Sequence, residues 1–283
     1  MIEHFFIPET LAEALRLKNE HKNSRFLAGG TEIFTRKTAD KMNCISLQKI
    51  NSLKSISLND RRLSLGAMIT LQELIEAAEL PKPLEQPLKS AAQQVRNRNI
   101  RNIATVGGNI VANKSCSDLI PLFLVMQASL QYQEATLHTQ TLSLAEYIAR
   151  PKESKAGLIG GILLPIPVDN EKFFLKRFSR TRSDLGIINI AVSVTLNPGR
   201  IIHCRMAIGG IDEHVVQPQA VSRFFQTLSP KLELPVFKND LRKLLETEIR
   251  PITDVRGSTE WKREVVFGLL CEIADQICSD WRK

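Results

Sequence analysis

The 283-residue sequence has no apolar run near the roughly 20 residues needed to cross a bilayer. Its best candidate, residues 119–126, is short and contains Pro121. The N-terminus has an early Glu3 and lacks the basic region and following apolar region of a secretory signal. We therefore expect a cytoplasmic protein that does not enter a membrane.

Paired cysteines are also missing. The five cysteines, at positions 44, 116, 204, 271 and 278, are scattered, and no C-x-x-C is present. This pattern argues against a disulfide framework and against an iron–sulfur or zinc site in this chain. Any metal centre that takes part is expected on another chain, and we assign no metal ligand here.

Stacking aromatics are few, with two Tyr and two Trp. The net charge of +8 is spread along the chain, without a helix-turn-helix, RNP or zinc-finger pattern. Nucleic acid is therefore not the expected partner. A phosphate-rich cofactor accounts for the excess of positive charge more simply.

Familiar catalytic and nucleotide motifs are absent: H-E-x-x-H, G-x-S-x-G, G-x-G-x-x-G and the P-loop all fail to match. The five histidines are dispersed. No catalytic residue is identified, and ligand loops without acid–base groups suit a cofactor that carries the chemistry itself.

Two Gly-Gly pairs stand out among what is present, in LAGGTEI (Leu27–Ile33) and in RNIATVGGN (Arg101–Asn109). Taken singly, each pair is more typical of a tight turn. A Gly-Gly turn also lets backbone N–H groups approach a diphosphate. Because Thr31, Thr105 and Asn109 add donors beside the pairs, we expect both turns to enclose one diphosphate.

Periodicity predicts the elements of the first part of the chain. Capping patterns at Thr10 and Thr70 begin helices, Pro87 opens another helix, and Asp118 caps a helix over 119–128. Strands are predicted at 25–28, 44–47 and 62–66, and a strand hairpin over 129–142.

A boundary is predicted at 163–167, where two prolines close a strand. Beyond it, strands at 172–179, 187–196 and 200–208 precede three helices, marked by Val221–Leu228, Leu241–Leu245 and Val265–Ile277. Strands followed by helices predict an α+β C-terminal domain. The segment Arg256–Arg263 is interpreted as structural, opening the last helix, with a further role in docking this domain.

In chain order, six motifs resemble those of the FAD-binding subunit of the molybdenum hydroxylases, the family of carbon monoxide dehydrogenase and xanthine dehydrogenase. They are the helix after Pro8, AGGTEI at 28–33, IRNIATVGGNI at 100–110, SDLIP at 117–121, SRTRSDLGI at 179–187 and DVRGSTEWKR at 254–263. The resemblance implies a vanillyl-alcohol-oxidase (PCMH)-type FAD domain over 1–168, with α/β subdomains of about 1–54 and 55–168. It also implies a smaller α+β domain over 171–283.

The resemblance further implies which residues contact FAD. The diphosphate would be wrapped by Leu27, Ala28, Gly29, Gly30, Thr31, Glu32, Ile33 and Phe34 and by Thr105, Val106, Gly107, Gly108 and Asn109. Asp118 would bond the adenosine and ribityl region, Ile159 and Lys176 would lie at the isoalloxazine end, and Asp184 falls in the matching R-x-x-D-[IL] segment. Plainer readings remain open: Asp118 as a helix cap, Lys176 on a solvated face, and Arg182 with Asp184 as a surface pair.

The function implied by the resemblance is electron transfer in a xanthine dehydrogenase-like complex. Molybdopterin would lie on a large subunit and [2Fe–2S] clusters on a small one, with NAD⁺ or another molecule as acceptor. The chain departs from the family pattern over 115–118, which lacks the proline of the family's SP-x-SD stretch, at Ser183 and at Trp261, which leaves substrate and acceptor open. Two alternatives stand beside this hypothesis, a self-contained flavin oxidase or reductase of the same fold and a flavin-free assembly scaffold.

Overall fold

The computed structural model describes residues 2–35, 41–134, 138–151, 154–229 and 234–281. The chain forms two compact units. The first comprises Met1–Ala112 and Gln127–Ile166, and the second comprises Asn113–Met126 and Pro167–Lys283. The short segment Asn113–Met126 is therefore taken from the middle of the chain into the second unit.

The first unit contains both strands and helices. In chain order these are β1 (Ile2–Phe6), α1 (Leu11–Glu20), β2 (Ser24–Leu27), β3 (Met42–Ser46), β4 (Ile56–Asn59), β5 (Arg62–Gly66), α2 (Leu71–Glu76), α3 (Lys82–Gln93), α4 (Arg98–Arg101), α5 (Val106–Ala112), β6 (Ser129–Gln133), β7 (Thr139–Ser143), α7 (Leu144–Ala149) and β8 (Leu158–Pro165).

The second unit begins with the interposed helix α6 (Ile120–Val125). Its remaining elements are β9 (Glu171–Phe178), β10 (Ile188–Asn197), β11 (Arg200–Gly209), α8 (Gln219–Phe225), α9 (Leu234–Glu248) and α10 (Thr259–Asp280).

A small parallel sheet forms the start of the first unit, with strand order β1-β3-β2. Strand β3 is buried along its whole length, as expected of a central parallel strand. Helix α1 packs its apolar face on this sheet, and the Thr10 hydroxyl accepts a hydrogen bond from the Glu13 N–H at 3.2 Å. The helix and both strands predicted here are confirmed, whereas β1 was not predicted.

The second sheet of this unit is antiparallel, with strand order β4-β5-β8-β6-β7. The strand predicted at 62–66 is confirmed as β5, and the hairpin as β6 paired with β7. Residues 135–137 of that hairpin lie outside the described residues. The capping box at Thr70 is complete, because Thr70 and Glu73 each accept a backbone N–H from the other.

The prediction that Pro87 opens a helix is wrong. Helix α3 begins at Lys82, and Pro87 lies inside it with its ring buried. Pro83 occupies the second helical position, where a missing N–H removes no intrahelical hydrogen bond. The helix therefore starts one turn earlier than the sequence indicated.

The second unit is built on an antiparallel sheet of order β11-β10-β9. Helices α8, α9 and α10 bury their apolar faces with this sheet in one core, which contains Phe225, Phe237 and Leu270. The three strands and three helices predicted for this part of the chain are confirmed. In the portion of the chain that the structure describes, no helix is long and apolar enough to span a membrane.

The turn before α10 is organised around Asp254. The Asp254 carboxylate accepts hydrogen bonds from the Arg256 N–H at 2.8 Å and from its guanidinium at 2.8 and 3.0 Å. The Nζ of Lys262, a fully buried residue, lies 3.0 Å from the same carboxylate and 2.7 Å from the Ile252 carbonyl. The segment predicted to open the last helix therefore does so through a network of charged hydrogen bonds.

Asp254 should make the stability of the protein pH-dependent. Burial raises the pKa of Asp254, but the hydrogen bonds from Arg256 and Lys262 outweigh burial and lower it to about 2 from 3.8. A carboxyl whose pKa is lowered by folding stabilises the fold at pH values above its pKa in the unfolded chain. This contribution disappears as the pH falls from about 4 to about 2. The contribution amounts to about 2 kcal/mol. In urea unfolding, Asp254→Asn should be less stable than wild type at pH 5, and the difference should narrow towards pH 2.

The control for this experiment is Asp240→Asn, which removes an exposed ion pair with Lys243 and should change the free energy of unfolding little. An Asp254→Asn deficit of constant size from pH 5 to pH 2 would contradict the role given to the carboxylate.

Candidate functional site

The two glycine segments lie against each other in the first unit. A Cβ built on Gly29 would lie only 1.7 Å from the Ile103 carbonyl oxygen and 3.2 Å from the Ala104 nitrogen. The backbone after β2 therefore packs directly on the peptide that leads into the second glycine pair. The two segments predicted to enclose one diphosphate are therefore neighbours in the fold, and their contact with a diphosphate stays a prediction.

Gly30 adopts a left-handed backbone conformation, with φ of +71°. Its carbonyl accepts a hydrogen bond from the Phe34 N–H at 3.3 Å, and the Phe34 ring covers the position that a Gly30 Cβ would take, at 2.9 Å. A larger residue at Gly30 would be strained by the backbone and by Phe34, whatever else the loop contacts. The first pair is thus a true turn, as predicted.

The second pair is not the predicted turn with outward N–H groups, because Gly107 and Gly108 lie in the first turn of α5. The N–H groups there already have acceptors. Gly107 donates to the Ala67 carbonyl at 2.9 Å, and Gly108 donates to the Thr105 hydroxyl at 3.0 Å. Val106 likewise donates to Ile69 at 2.9 Å. The prediction was wrong because α5 begins at Val106, where the Thr105 hydroxyl accepts the Gly108 N–H and the Thr105 carbonyl accepts the Asn109 N–H at 3.0 Å.

The two glycines of α5 differ in what surrounds them. A Cβ on Gly107 would meet the Ala67 Cβ at 2.6 Å and the Ala67 carbonyl oxygen at 2.8 Å, so Gly107 is required for packing. A Cβ on Gly108 would meet only the Thr105 hydroxyl at 2.8 Å and, at 3.7 Å, the Ala28 Cβ of the first segment. A methyl group at Gly108 would therefore crowd the Thr105 hydroxyl and face the first segment.

The other residues predicted in these segments divide by burial. Leu27, Thr105 and Val106 are buried, and their side chains belong to the interior of the unit. Ala28, Thr31, Glu32, Ile33 and Asn109 are partly exposed. Phe34 is 56% exposed, a large fraction for an aromatic ring.

Ile159 lies on β8 opposite Tyr132, and its side chain is buried. Its neighbour Gly160 lines a cavity of about 150 Å³ together with Leu53 and Gln131. The side chain of Ile159 is thus part of the core, and Gly160 is the residue that lines the cavity.

Asp118 lies in the second unit and is not the cap of α6. Leu119 is at the N-cap of α6, which has no side-chain cap, and the N–H of Ile120 donates to the Ser117 hydroxyl at 3.2 Å. The Asp118 carboxylate instead accepts a hydrogen bond from Arg177 Nε at 2.9 Å, and the two side chains are only 5% and 9% exposed. The capping prediction was wrong because this buried ion pair orients Asp118.

Arg177 also reaches the loop that contains Asp184. Its Nη1 donates to the Ser179 hydroxyl at 2.7 Å, and its Nη2 donates to the Asp184 carbonyl. Two predicted site residues, Asp118 and Asp184, are therefore joined by an arginine that the sequence did not single out. Strand alternation places residue 177 on the opposite face of β9 from Lys176, but nothing local indicates a partner 59 residues away.

Lys176 makes a different contact. Its Nζ lies 2.7 Å from the Glu272 carboxylate on α10, with the lysine side chain 20% exposed and that of Glu272 58% exposed. Lys176 is thus not the solvated residue that the alternative interpretation expected. Among the described hydrogen bonds, none joins it to Asp118 or Asp184.

The chain matches two family models. Residues 1–167 match the FAD binding domain in molybdopterin dehydrogenase, and residues 173–277 match the CO dehydrogenase flavoprotein C-terminal domain. The chain therefore belongs to the family of FAD-binding proteins of the molybdopterin dehydrogenases. The family and the fold class expected from the sequence motifs are confirmed, and FAD is the cofactor that the family description names.

Three relatives illustrate the similarity. The Escherichia coli K12 protein YgfM, which is uncharacterised, is 29% identical over 96% of this chain and 95% of its own length. The glyceraldehyde dehydrogenase medium chain of Sulfolobus acidocaldarius is 22% identical, with 91% of this chain and 92% of that protein covered. In the crystal structure of quinoline 2-oxidoreductase from Pseudomonas putida 86, one chain aligns with a TM-score of 0.88 at 17% identity. The alignment covers 99% of this chain and 98% of that one.

The glycine environments predict different effects of adding one methyl group. Gly29→Ala and Gly107→Ala should each lower the free energy of unfolding by at least about 2 kcal/mol, because the new Cβ meets backbone atoms that cannot move aside. Gly268→Ala is the control. Gly268 lies in α10 with nothing within 4 Å of the added Cβ, so its replacement should stabilise by about 0.5–1 kcal/mol. Thermal unfolding measures all three, and a Gly29→Ala protein as stable as wild type would refute the close approach.

Proposed function

We propose that this chain is the FAD-carrying electron-transfer subunit of a multi-subunit molybdenum hydroxylase. In the narrower form of the hypothesis, the complex is xanthine dehydrogenase-like. A [2Fe–2S] small subunit and a molybdenum-binding large subunit are its proposed partners, and NAD⁺ or another molecule is the proposed acceptor.

The observation that supports FAD binding most directly is the meeting of the two glycine segments at Gly108. A Cβ on Gly108 would crowd the Thr105 hydroxyl, at 2.8 Å, and would lie 3.7 Å from the Ala28 Cβ of the first segment. A ligand that approaches the backbone closely needs such a glycine, and a diphosphate is bound in this way in many proteins. The residues present therefore fit the diphosphate of FAD.

Within this proposal the chain's own residues hold the cofactor. Residues 27–34 and 105–109 take the diphosphate, with the Thr31 and Asn109 side chains as donors at the partly exposed surface of these segments. The N–H groups of Gly107 and Gly108 keep their acceptors within the protein, so these glycines contribute close approach rather than donors. The segment around Gly30 is preformed, because its turn is fixed by Phe34.

Four further residues remain proposed contacts. Asp118 and the segment at Asp184 are assigned to FAD as residues of the second unit, where Arg177 joins them. Ile159 is assigned through its backbone, since its side chain is buried. Lys176 is assigned on the sequence resemblance, and it would have to share its charge with Glu272.

Bound FAD supplies the capacity to take up electrons singly and give them up in pairs, which links one-electron clusters to a two-electron acceptor. The chain itself contributes orientation and electrostatics. In the described part of the chain, no group of His, Cys, Asp or Glu residues is arranged to hold a metal ion. The proposal accordingly assigns the molybdenum and iron–sulfur centres to partner subunits.

The first test is the cofactor itself. Purified protein should carry FAD non-covalently, and acid precipitation should release it into the supernatant, where chromatography distinguishes FAD from FMN. Gly108→Ala should reduce FAD retention about tenfold, because the methyl group occupies the space assigned to the ligand. Its melting temperature without FAD should stay closer to wild type than that of Gly107→Ala, since only the Thr105 hydroxyl must adjust.

Flavin that stays with the acid pellet would contradict non-covalent binding. Full FAD retention by Gly108→Ala would remove Gly108 from the site. Protein that binds no FAD when refolded with it would favour the assembly scaffold.

The isolated chain should not oxidise the organic substrate of the complex. Purines, aldehydes and N-heterocycles should leave the absorbance of its FAD near 450 nm unchanged, whereas NADH with an artificial dye needs only the flavin and can turn over. Adding the molybdenum and iron–sulfur subunits should restore bleaching by the substrate. Bleaching by a substrate with the lone chain would support the self-contained oxidase instead.

A further inference from the structure

We propose that Arg177 is a positioning residue for FAD, which holds the Asp118 carboxylate and the Asp184 backbone in the arrangement that the cofactor meets. The inference rests on the proposed function, since it takes Asp118 and the Asp184 segment as FAD contacts. It assigns a role to a residue that the family motifs do not mark.

The guanidinium of Arg177 uses three nitrogens for three different partners. Nε donates to the Asp118 carboxylate at 2.9 Å, Nη1 donates to the Ser179 hydroxyl at 2.7 Å, and Nη2 donates to the Asp184 carbonyl. A planar guanidinium fixes the directions of its donors, so these three groups are held in one plane relative to each other. An ammonium group has no such fixed fork.

The ion pair is buried, which makes it strongly directional. With the side chains of Arg177 and Asp118 only 9% and 5% exposed, water screens this ion pair little, and removal of one partner would be costly. Arg177 therefore orients the Asp118 carboxylate.

The backbone around Asp118 is anchored without Arg177. The Asn189 Nδ2 donates to the Cys116 carbonyl at 2.9 Å and to the Ser117 carbonyl at 3.2 Å, and the Ser117 hydroxyl accepts the Ile120 N–H. The loop after β9 is likewise closed at its base, where the Ile187 N–H donates to the Phe178 carbonyl at 2.7 Å. Loss of Arg177 should consequently release the carboxylate and the loop carbonyl more than it displaces the chain.

The second unit provides a matched control in Arg205. This arginine also joins a carboxylate, a hydroxyl and a carbonyl: it pairs with Glu171, donates to Ser193 at 3.1 Å and donates from Nε to the Val125 carbonyl at 2.7 Å. None of these residues is among the proposed FAD contacts. Arg205 therefore shares with Arg177 the joining of these three kinds of group. It lacks the link to the cofactor that we propose for Arg177.

The experiment uses the full chain freed of FAD and measures FAD binding by fluorescence, together with the melting temperature of each apoprotein. Arg177→Gln should raise the Kd for FAD about tenfold or more, as expected for loss of a hydrogen bond that orients a charged group. Arg177→Lys should recover part of the affinity, since it keeps the charge without the fork. Arg205→Gln should lower the melting temperature by a similar amount and leave the Kd within about twofold of wild type.

A double-mutant cycle separates positioning from stability. Asp118→Asn should weaken FAD binding, and the Arg177→Gln/Asp118→Asn protein should lose less affinity than the sum of the two single losses, because part of the effect of Arg177 passes through Asp118. If Arg177→Gln does not fold, the cycle is run with Arg177→Lys, which retains the ion pair's charge.

Three results would overturn the inference. The first is an Arg177 variant that binds FAD as tightly as wild type. The second is an equal loss of affinity in Arg205→Gln, which would show that general destabilisation is the cause. The third is additive losses in the cycle. These results leave the proposed function standing if wild type binds FAD, whereas wild-type protein without FAD affinity would overturn both.

Discussion

The close approach of the Gly29 backbone to the peptide between Ile103 and Ala104 is the constraint on which the proposed site depends. No side chain fits between these two stretches of main chain. Because of that contact, the turn after β2 and the start of α5 share one surface, although about seventy residues separate them in the chain. Glycine is needed at Gly29 for packing and, by our proposal, at Gly108 for close approach of the cofactor, which are two different uses of the same residue type.

Buried charges organise the second unit in a comparable way. Arg177 and Arg205 each tie the interposed segment 113–126 to the sheet of this unit, through Asp118 in one case and through the Val125 carbonyl in the other. Lys262 and Asp254 fix the turn that precedes α10. A buried charge is costly unless it is fully paired, so such networks define one arrangement of the elements rather than simply adding stability. Two arginines with similar partners thus have different roles: Arg205 stabilises packing, and Arg177, by our proposal, positions contacts of the cofactor.

The comparison of sequence and structure shows where local rules succeed. The capping patterns at Thr10 and Thr70, the strand at 62–66 and the C-terminal strands and helices were predictable, because each depends on neighbours within one or two turns of chain. Local rules failed at Pro87, at Gly107-Gly108 and at Asp118. In each of these places a competing feature decided the outcome, namely an earlier proline in a better position, a helix that begins on Thr105, and a buried arginine.

The sequence by itself determined the family, the cofactor class and many of the elements, because these follow from motifs and periodicities along the chain. Only the tertiary structure decided how the two glycine segments meet, where α5 begins and which arginine orients Asp118. Those outcomes depend on groups that are remote in sequence and meet after folding, such as Gly29 with Ile103 and Arg177 with Asp118. Their partners are selected by shape and by the need to pair buried charges, and neither requirement leaves a local signal in the chain.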